Sequence, residues 1–187
     1  MPTFLTLDVS YRLFEGALGD GAVGSFDVFA GYHMQDATFE ISDARTVIAD
    51  FQVASYSFDG PVATYDMEFY GLRLGVRGEV HFGRASTVSG SLAVLPFVQA
   101  DGFGQWIIRE KTLDHDATGW GMDVLVRYEY ALTPSVRLWA GAGLTRLEGT
   151  DGTDTQFRFS GQPIGRSHLD EIKSDYSFLM LGGEFRF

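Results

Sequence analysis

One short segment of the sequence has the residue types of a catalytic group: Asp114, His115 and Asp116 are consecutive. Histidine changes its charge near neutral pH, and a neighbouring carboxylate can orient its ring, so the triplet has the composition of a general base with an orienting acid. The simpler interpretation is a solvated acidic loop that carries one histidine, and we favour it.

Few other residues could carry chemistry. Cysteine is absent, which removes disulfides, thiolate zinc sites and a cysteine nucleophile. The four histidines show no paired ligand spacing, and we expect His33 and His81 to hydrogen-bond to carboxylates of neighbouring strands rather than to bind a metal. The segments Gly102 to Gly104 and Gly149 to Gly152 precede no helical pattern and lack the lysine of a phosphate-binding loop. The sequence therefore predicts no metal and no cofactor.

Composition and charge narrow the class of protein. At 187 residues the chain is long enough for one domain with a sizeable core. It has 14 Lys and Arg against 25 Asp and Glu, and this net charge of −11 opposes broad binding to nucleic-acid phosphates. No stretch reaches the roughly 20 apolar residues of a membrane-spanning helix. The N-terminal segment lacks the pattern of a signal peptide, so we expect the native leader, and further sequence, upstream of Met1.

Polar and apolar residues alternate with a period of two in seven segments, which is the pattern of β-strands. In the clearest segment, 70–82, large apolar residues such as Leu72 alternate with polar ones such as Arg73. In segment 91–99, Pro96 suggests a bulge or a local break in the ladder, and the alternation assigns Val98 to the apolar face and Phe97 to the other. The remaining segments are 5–13, 27–35, 122–130, 136–145 and 176–187.

The alternation alone does not say which face is the inside. A soluble lipocalin-like barrel has an apolar interior that holds an apolar ligand, whereas a membrane barrel has its apolar residues outside. Segment length, the mixture of charged residues and glycine on the polar face, and the aromatic residues Trp120, Tyr128 and Tyr130 near segment ends favour the membrane arrangement. The sequence therefore predicts an all-β, antiparallel up-and-down transmembrane β-barrel, with residues 1–187 in a single domain. Its predicted lumenal polar network comprises Arg73, Arg77, Glu79, His81, Asp123, Arg127, Glu129, Arg137, Glu184 and Arg186.

The links between segments alternate between short and long, as in outer-membrane barrels. The short links are 83–85 and 133–135, and the long polar links are 42–65, 101–118 and 148–174. An open sheet edge in lipid leaves backbone groups unpaired, and single-chain barrels have an even number of strands. Seven strands therefore predict further strands upstream of Met1: one for an eight-stranded barrel, or three for a ten-stranded one.

Several segments resemble the omptin family of outer-membrane barrels, which are ten-stranded proteins, many of them surface proteases. The resemblance rests on Phe26 to Tyr32, on Ala37 to Glu40, on Phe69 to Leu72, on the turn Ala131 to Leu138, and on the C-terminal Leu181 to Phe187. It implies that the chain corresponds to the last seven of ten strands, with the N-terminal strands missing. The terminal Phe187 implies recognition by the barrel-assembly machinery.

Omptin proteases are understood to activate a water between an Asp pair on one lip of the barrel and an Asp-x-His pair on the opposite lip. The first pair would lie upstream of Met1, and the positions expected for the second pair read Gly102 to Gln105. A loop insertion could move the second pair to Asp114, His115 and Asp116, although their spacing is Asp-His-Asp. The resemblance therefore implies an omptin-type aspartic endopeptidase only as an alternative, complete with its upstream strands.

The main expectation is an omptin-like protein of the bacterial outer membrane that acts as a surface or structural barrel without catalysis. Its expected partner is outer-membrane lipid, and nucleic acid is not expected. Basic residues in the predicted outer loops could meet lipopolysaccharide phosphates, although dispersed basic residues usually form a solvated surface. These residues are Arg109, Lys111, Arg158, Arg166 and Lys173.

Overall fold

Seven antiparallel β-strands, each paired with its sequence neighbours, form one sheet. The structure is a computed structural model that describes residues 3–19, 21–42 and 60–185. The sheet order follows the chain, so the predicted all-β, antiparallel up-and-down architecture is confirmed. Among the described residues β1 is not paired with β7, and the sheet is not closed. The strands are β1 Thr3–Gly19, β2 Ala22–Ser42, β3 Pro61–Phe82, β4 Ser86–Trp106, β5 Lys111–Thr133, β6 Val136–Arg158 and β7 Pro163–Phe185.

Strands β2 to β7 are each 21 to 23 residues long, about twice the roughly 9 to 11 residues of a tilted membrane-spanning strand. Two of the predicted long loops are therefore wrong. Within 101–118, β4 and β5 remain paired as far as Trp106 and Lys111, with only the 3₁₀ turn Ile107–Arg109 and Glu110 between them. Within 148–174, β6 and β7 remain paired as far as Phe157.

The sequence does not predict these strand ends, because their residues do not alternate between large apolar and polar side chains. Backbone N–H and C=O groups form the ladder whatever the side chains are. Here the outward positions are polar, and several inward positions are the small residues Ala117, Gly119 and Gly149, so no large apolar residues repeat. For the third predicted loop, β3 begins at Pro61, and residues 43–59 lie outside the described part of the chain.

Three short turns lie at one end of the sheet, which we call the turn end. The links predicted as short at 83–85 and 133–135 are confirmed. The turn between β1 and β2 is short as well, with Gly19 at φ 103° and Gly21 at φ 79°, a left-handed backbone that glycine adopts without steric cost. The opposite end, where β4 meets β5 and β6 meets β7, is called the tip end.

The sheet is strongly curved. Gln35 Nε2 on β2 donates a hydrogen bond to Ser174 Oγ on β7 at 2.6 Å, and the rings of Phe4 on β1 and Tyr176 on β7 have centroids 4.7 Å apart. These four residues define the inner, concave face. The outer face carries the alternate side chains of each strand.

A bulge in β4 reverses which residues face inward. The pairing of β4 with β5 shifts between Leu95 and Val98, so the irregularity predicted at Pro96 is confirmed. Its consequence was assigned wrongly, because the extra residue moves Val98 to the inner face, where it is 0% exposed, and leaves Phe97 outside at 53%. A bulge inserts one residue, and one residue is half the period of a strand.

An apolar core fills the inner face on the tip side of this bulge. Side chains from five strands contact one another there, and Phe69, Leu95, Val98 and Leu147 are almost fully buried. No helix in the described part of the chain is long and apolar enough to cross a membrane. The core comprises Met67, Phe69, Leu95, Val98, Ala100, Ala117, Leu147 and Ile172.

Candidate functional site

The predicted catalytic triplet lies inside strand β5 and not in a loop. Successive side chains of a strand point to opposite faces, so Asp114 and Asp116 belong to the outer face and His115 to the inner face. Both aspartates are exposed, whereas His115 is partly buried. The structure therefore does not bring the triplet together, and neither flanking carboxylate orients the imidazole.

His115 faces Asp154 instead, its cross-strand partner on β6. The imidazole Nδ1 lies 3.4 Å from Asp154 Oδ1, and both side chains are largely buried. The ring of Tyr65 lies beside the imidazole, with centroids 5.4 Å apart. Burial lowers the pKa of His115 below its usual 6.5, although the Asp154 and Asp114 carboxylates oppose this effect. Burial, together with the charge of Asp154, also raises the pKa of Tyr65 to about 12.

The hydrogen bonds of Asp154 indicate a structural role. Its Oδ2 accepts hydrogen bonds from Gln156 Nε2 at 3.0 Å and from Ser167 Oγ at 3.1 Å, which tie β6 to β7. Its Oδ1 and His115 Nδ1 have no hydrogen-bond partner among the described residues. Burial favours the neutral imidazole of His115, and the geometry of the pair provides neither an activated nucleophile nor an aligned proton acceptor.

Two aspartates of the outer face, Asp101 and Asp116, are held by neutral donors. Asp116 lies opposite Asp101 in the β4–β5 ladder. Gln99 Nε2 donates to both carboxylates at 3.1 Å, and the Tyr70 hydroxyl donates to Asp101 at 2.9 Å. This arrangement fixes surface side chains across three strands. In the part of the chain that the structure describes, no group of three or more His, Asp or Glu has the arrangement of a metal site.

A second polar cluster lies on the inner face, on the turn side of the apolar core, and Arg73 is its centre. The guanidinium donates to both oxygens of Asp123 at 2.6 Å and to Asp8 at 2.5 Å. The ring of Phe29 covers it, with the guanidinium carbon 4.5 Å from the ring centroid. Because all three charged side chains are nearly buried, this bidentate pairing is needed to offset their loss of hydration. The cluster ties β3 to β1 and β5.

The other described residues of the predicted polar network also lie on the inner face, where most of them form ion pairs. Glu184 is partly buried there, and Arg186 lies outside the described residues. The pairs are Arg77 with Asp8, His81 with Glu79, and Glu129 with both Arg127 and Arg137.

Sequence reasoning left Asp8 and Asp27 out of this network. The neighbouring-strand carboxylates that it predicted as partners of His33 and His81 are wrong, because His33 contacts a threonine and His81 pairs with Glu79 of its own strand. Asp27 accepts a hydrogen bond from Arg12 Nε at 2.8 Å, and His33 Nδ1 lies 3.2 Å from Thr6 Oγ1. The signal was available, because these residues occupy polar positions of the alternating segments 5–13 and 27–35. Identifying the pairs required the strand register, which the alternation does not supply.

A cavity of about 610 Å³ lies beside the Arg73 cluster on the inner face. Its lining includes the aromatic residues Phe4, Tyr176 and Phe178 together with His33 and Arg73. His33 Nε2 is buried and has no hydrogen-bond partner among the described residues. A cavity of this size with several polar groups in its lining has room for ordered water, which can hydrogen-bond to such groups.

The outer face around this cavity carries a continuous set of exposed apolar side chains, which we call the apolar belt. It lies between the turn end and the level of the β4 bulge. Towards the tip the outer face becomes charged, as in Glu148 and Lys173, and we call this part of β2 to β7 the extension. Prominent members of the belt are Leu7, Val9, Leu72, Leu74, Leu92, Val94, Val126, Leu144, Leu179 and Leu181.

Comparison with known proteins adds no assignment. No protein-family model matches the sequence, and no curated protein matches it significantly.

Proposed function

We propose that the protein is a bacterial outer-membrane β-barrel of the non-catalytic, surface or structural kind. In this proposal the apolar belt faces lipid, the polar network of the inner face lies in the barrel lumen, and the extension projects beyond the membrane. The omptin-like resemblance is compatible with this function and stays a prediction.

One observation carries the proposal: the polarity of the belt region is inverted. Outward apolar side chains such as Leu74 and Val126 are about half exposed, at 48% and 52%, whereas the inward Arg73 and Asp123 are 7% and 8% exposed. In water this arrangement exposes apolar surface and buries charge, both at a cost. In a bilayer the same surface is covered by acyl chains. The inversion also argues against a soluble barrel that holds an apolar ligand.

Two further observations support a non-catalytic barrel. The Asp114, His115 and Asp116 side chains are divided between the two faces, so the residues considered for peptide hydrolysis do not form one site. In the extension, Val98 and Leu147 are 0% exposed within an apolar core that joins side chains of β3 to β7. A dry core of this kind is unfavourable for a wide aqueous channel.

The test compares one substitution at two levels of β5. Val126 lies in the middle of the belt, and Thr118 lies on the same outer face in the extension. We expect Val126→Arg to destabilise the protein folded in phospholipid vesicles by about 2 to 4 kcal/mol, because the guanidinium is placed in hydrocarbon, and Thr118→Arg to cost at most about 1 kcal/mol. Urea titration followed by tryptophan fluorescence measures both.

Equal and small effects of the two substitutions would overturn the membrane placement. So would folding of the wild-type protein as a monomer in buffer without lipid or detergent, which would instead favour a soluble barrel.

A further inference from the structure

Three basic side chains are brought together at the tip end of the inner face. Lys111 lies directly opposite Arg158 in the β5–β6 ladder and opposite Trp106 in the β4–β5 ladder. Side chains of opposed residues share a face, with Cβ atoms roughly 5 Å apart. Arg109 joins them, because its guanidinium carbon lies 4.5 Å from the centre of the Trp106 ring. We call Arg109, Lys111 and Arg158 the basic rim.

The backbone holds the rim in place. Glu110, between Arg109 and Lys111, is left-handed at φ 51°, and its carbonyl oxygen accepts a hydrogen bond from the Phe159 N–H at 3.0 Å. The Arg158 N–H donates to the Gln162 carbonyl at 2.9 Å. These bonds fasten the β4–β5 connection to the β6–β7 connection, so that the rim cations come from two linked hairpins.

The charge of the rim is uncompensated. Among the described residues, no ion pair to a carboxylate forms at Arg109, Lys111 or Arg158, whereas Arg73 and Arg127 of the inner network and Arg146 and Lys173 of the β6–β7 surface are paired. Like charges directly opposite each other destabilise a strand pair. In a chain with a net charge of −11, a cluster of unpaired cations at one rim is a feature that a bound anion would stabilise.

We propose that the basic rim binds a compact, multiply charged phosphate compound. Two arginines and one lysine provide planar forks and a point charge, the groups that recognise phosphate oxygens. The negative charge of the whole protein repels a long polyanion, so a small ligand is favoured.

The distance of the rim from the membrane distinguishes two possible ligands, a phospholipid headgroup and a dissolved phosphate compound. This argument rests on the proposed membrane placement. Lys111 precedes Trp120, at the edge of the belt, by about nine residues, or roughly 30 Å along β5. The polar layer of a bilayer is only about 5 to 7 Å deep on each side. The rim therefore lies beyond the reach of phospholipid headgroups, and a dissolved phosphate compound is its ligand.

Inorganic tripolyphosphate is the probe, titrated calorimetrically into the protein in zwitterionic detergent. We expect saturable one-site binding that weakens with added salt, and a roughly tenfold loss of affinity for Lys111→Gln and for Arg158→Gln. Arg166→Gln is the matched control, because Arg166 lies near the tip on the outer face, opposite Thr155. It should leave the affinity within about twofold, since it removes one distant charge only.

Absence of saturable binding, or an equal loss for Arg166→Gln, would overturn the proposal. A second arm compares zwitterionic vesicles with vesicles that contain phosphatidylglycerol. Unchanged tripolyphosphate affinity supports a dissolved ligand, whereas competition by the anionic lipid would overturn that assignment. Because calorimetry in detergent does not depend on bilayer insertion, a failure here is distinguishable from a failure of the membrane proposal.

Discussion

The belt region and the extension are built from the same strands with opposite polarity. On β6, Leu144 points outward in the belt and is 43% exposed, while Leu147, three positions nearer the tip, points inward and is 0% exposed. In the belt the charged residues are inside, around Arg73, whereas in the extension the outer face also carries charged residues, such as Glu148. The same strands run through both halves, and the difference is what we expect if lipid surrounds the belt and water surrounds the extension, as proposed above.

Strand β4 shows how one hydrophobic pattern serves both halves. Val94 and Val98 have the same parity in the sequence, yet Val94 faces outward and Val98 inward because the bulge lies between them. The apolar positions of β4 therefore point outward within the belt and inward beyond its edge. In β5, which has no such bulge at this level, the reversal comes from residue choice: Val124 is outward in the belt and Asp116 is outward in the extension.

The largest loss of stability is expected when the buried ion pairs on the inner face of the belt region are disrupted. Asp123→Ala removes the bidentate partner of Arg73 and leaves a nearly buried guanidinium with Asp8 and Arg77 as neighbours. We expect a loss of about 3 to 5 kcal/mol in the free energy of unfolding, because the guanidinium stays buried without its bidentate partner and shares Asp8 with Arg77. Urea titration of the protein in vesicles measures it.

The matched control for Asp123→Ala is the triple variant Asp8→Leu, Arg73→Met and Asp123→Leu, which removes all three nearly buried charges. It should recover most of the lost stability, since replacing a buried ion pair by apolar side chains is often neutral. A single variant as stable as the wild type would show that this network does not stabilise the belt region.

A second prediction compares the two leucines of β6. Leu147→Ala should cost about 3 kcal/mol, because it removes apolar contacts and leaves a cavity in the core of the extension. Leu144→Ala should cost about 1.5 kcal/mol, since only the transfer of the side chain into lipid is lost and acyl chains fill the vacated space. Unfolding measurements in vesicles distinguish the two, and a cost near zero for Leu144→Ala would mean that water surrounds the belt.

The belt strands were predictable from the sequence, and the extension was not. In segment 70–82, Leu72 and Leu74 alternate with Arg73, and this contrast places each residue on its observed face. In the extension, by contrast, threonine and glycine positions such as Thr153 and Gly149 carry no such contrast. Their strand pairing depends on backbone hydrogen bonds and on neighbouring strands, which a single segment does not reveal.

Prediction of the candidate site was limited because the sequence does not give the register between strands. The sequence singles out His115, but it joins this residue to its chain neighbours Asp114 and Asp116, whereas its partner is Asp154 on the next strand. Likewise, the polar positions of the alternating segments were identified, but the bond from Arg73 to Asp123 spans two strands. Contacts across a sheet need the pairing of every strand between them, and a bulge such as that at Pro96 changes this pairing by one residue.

The smallest expected effect concerns the extension alone and depends on pH. Burial lowers the pKa of His115 below 6.5, so the native extension disfavours protonation that the unfolded chain accepts. The stability contributed by the neutral imidazole is therefore complete above pH 6.5 and declines as the pH falls below it. Hydrogen exchange of extension amides should accelerate between pH 7 and pH 5, after correction for the intrinsic rate, while belt amides stay protected. His115→Phe should remove this difference, and an unchanged pH dependence in that variant would assign the effect to other groups.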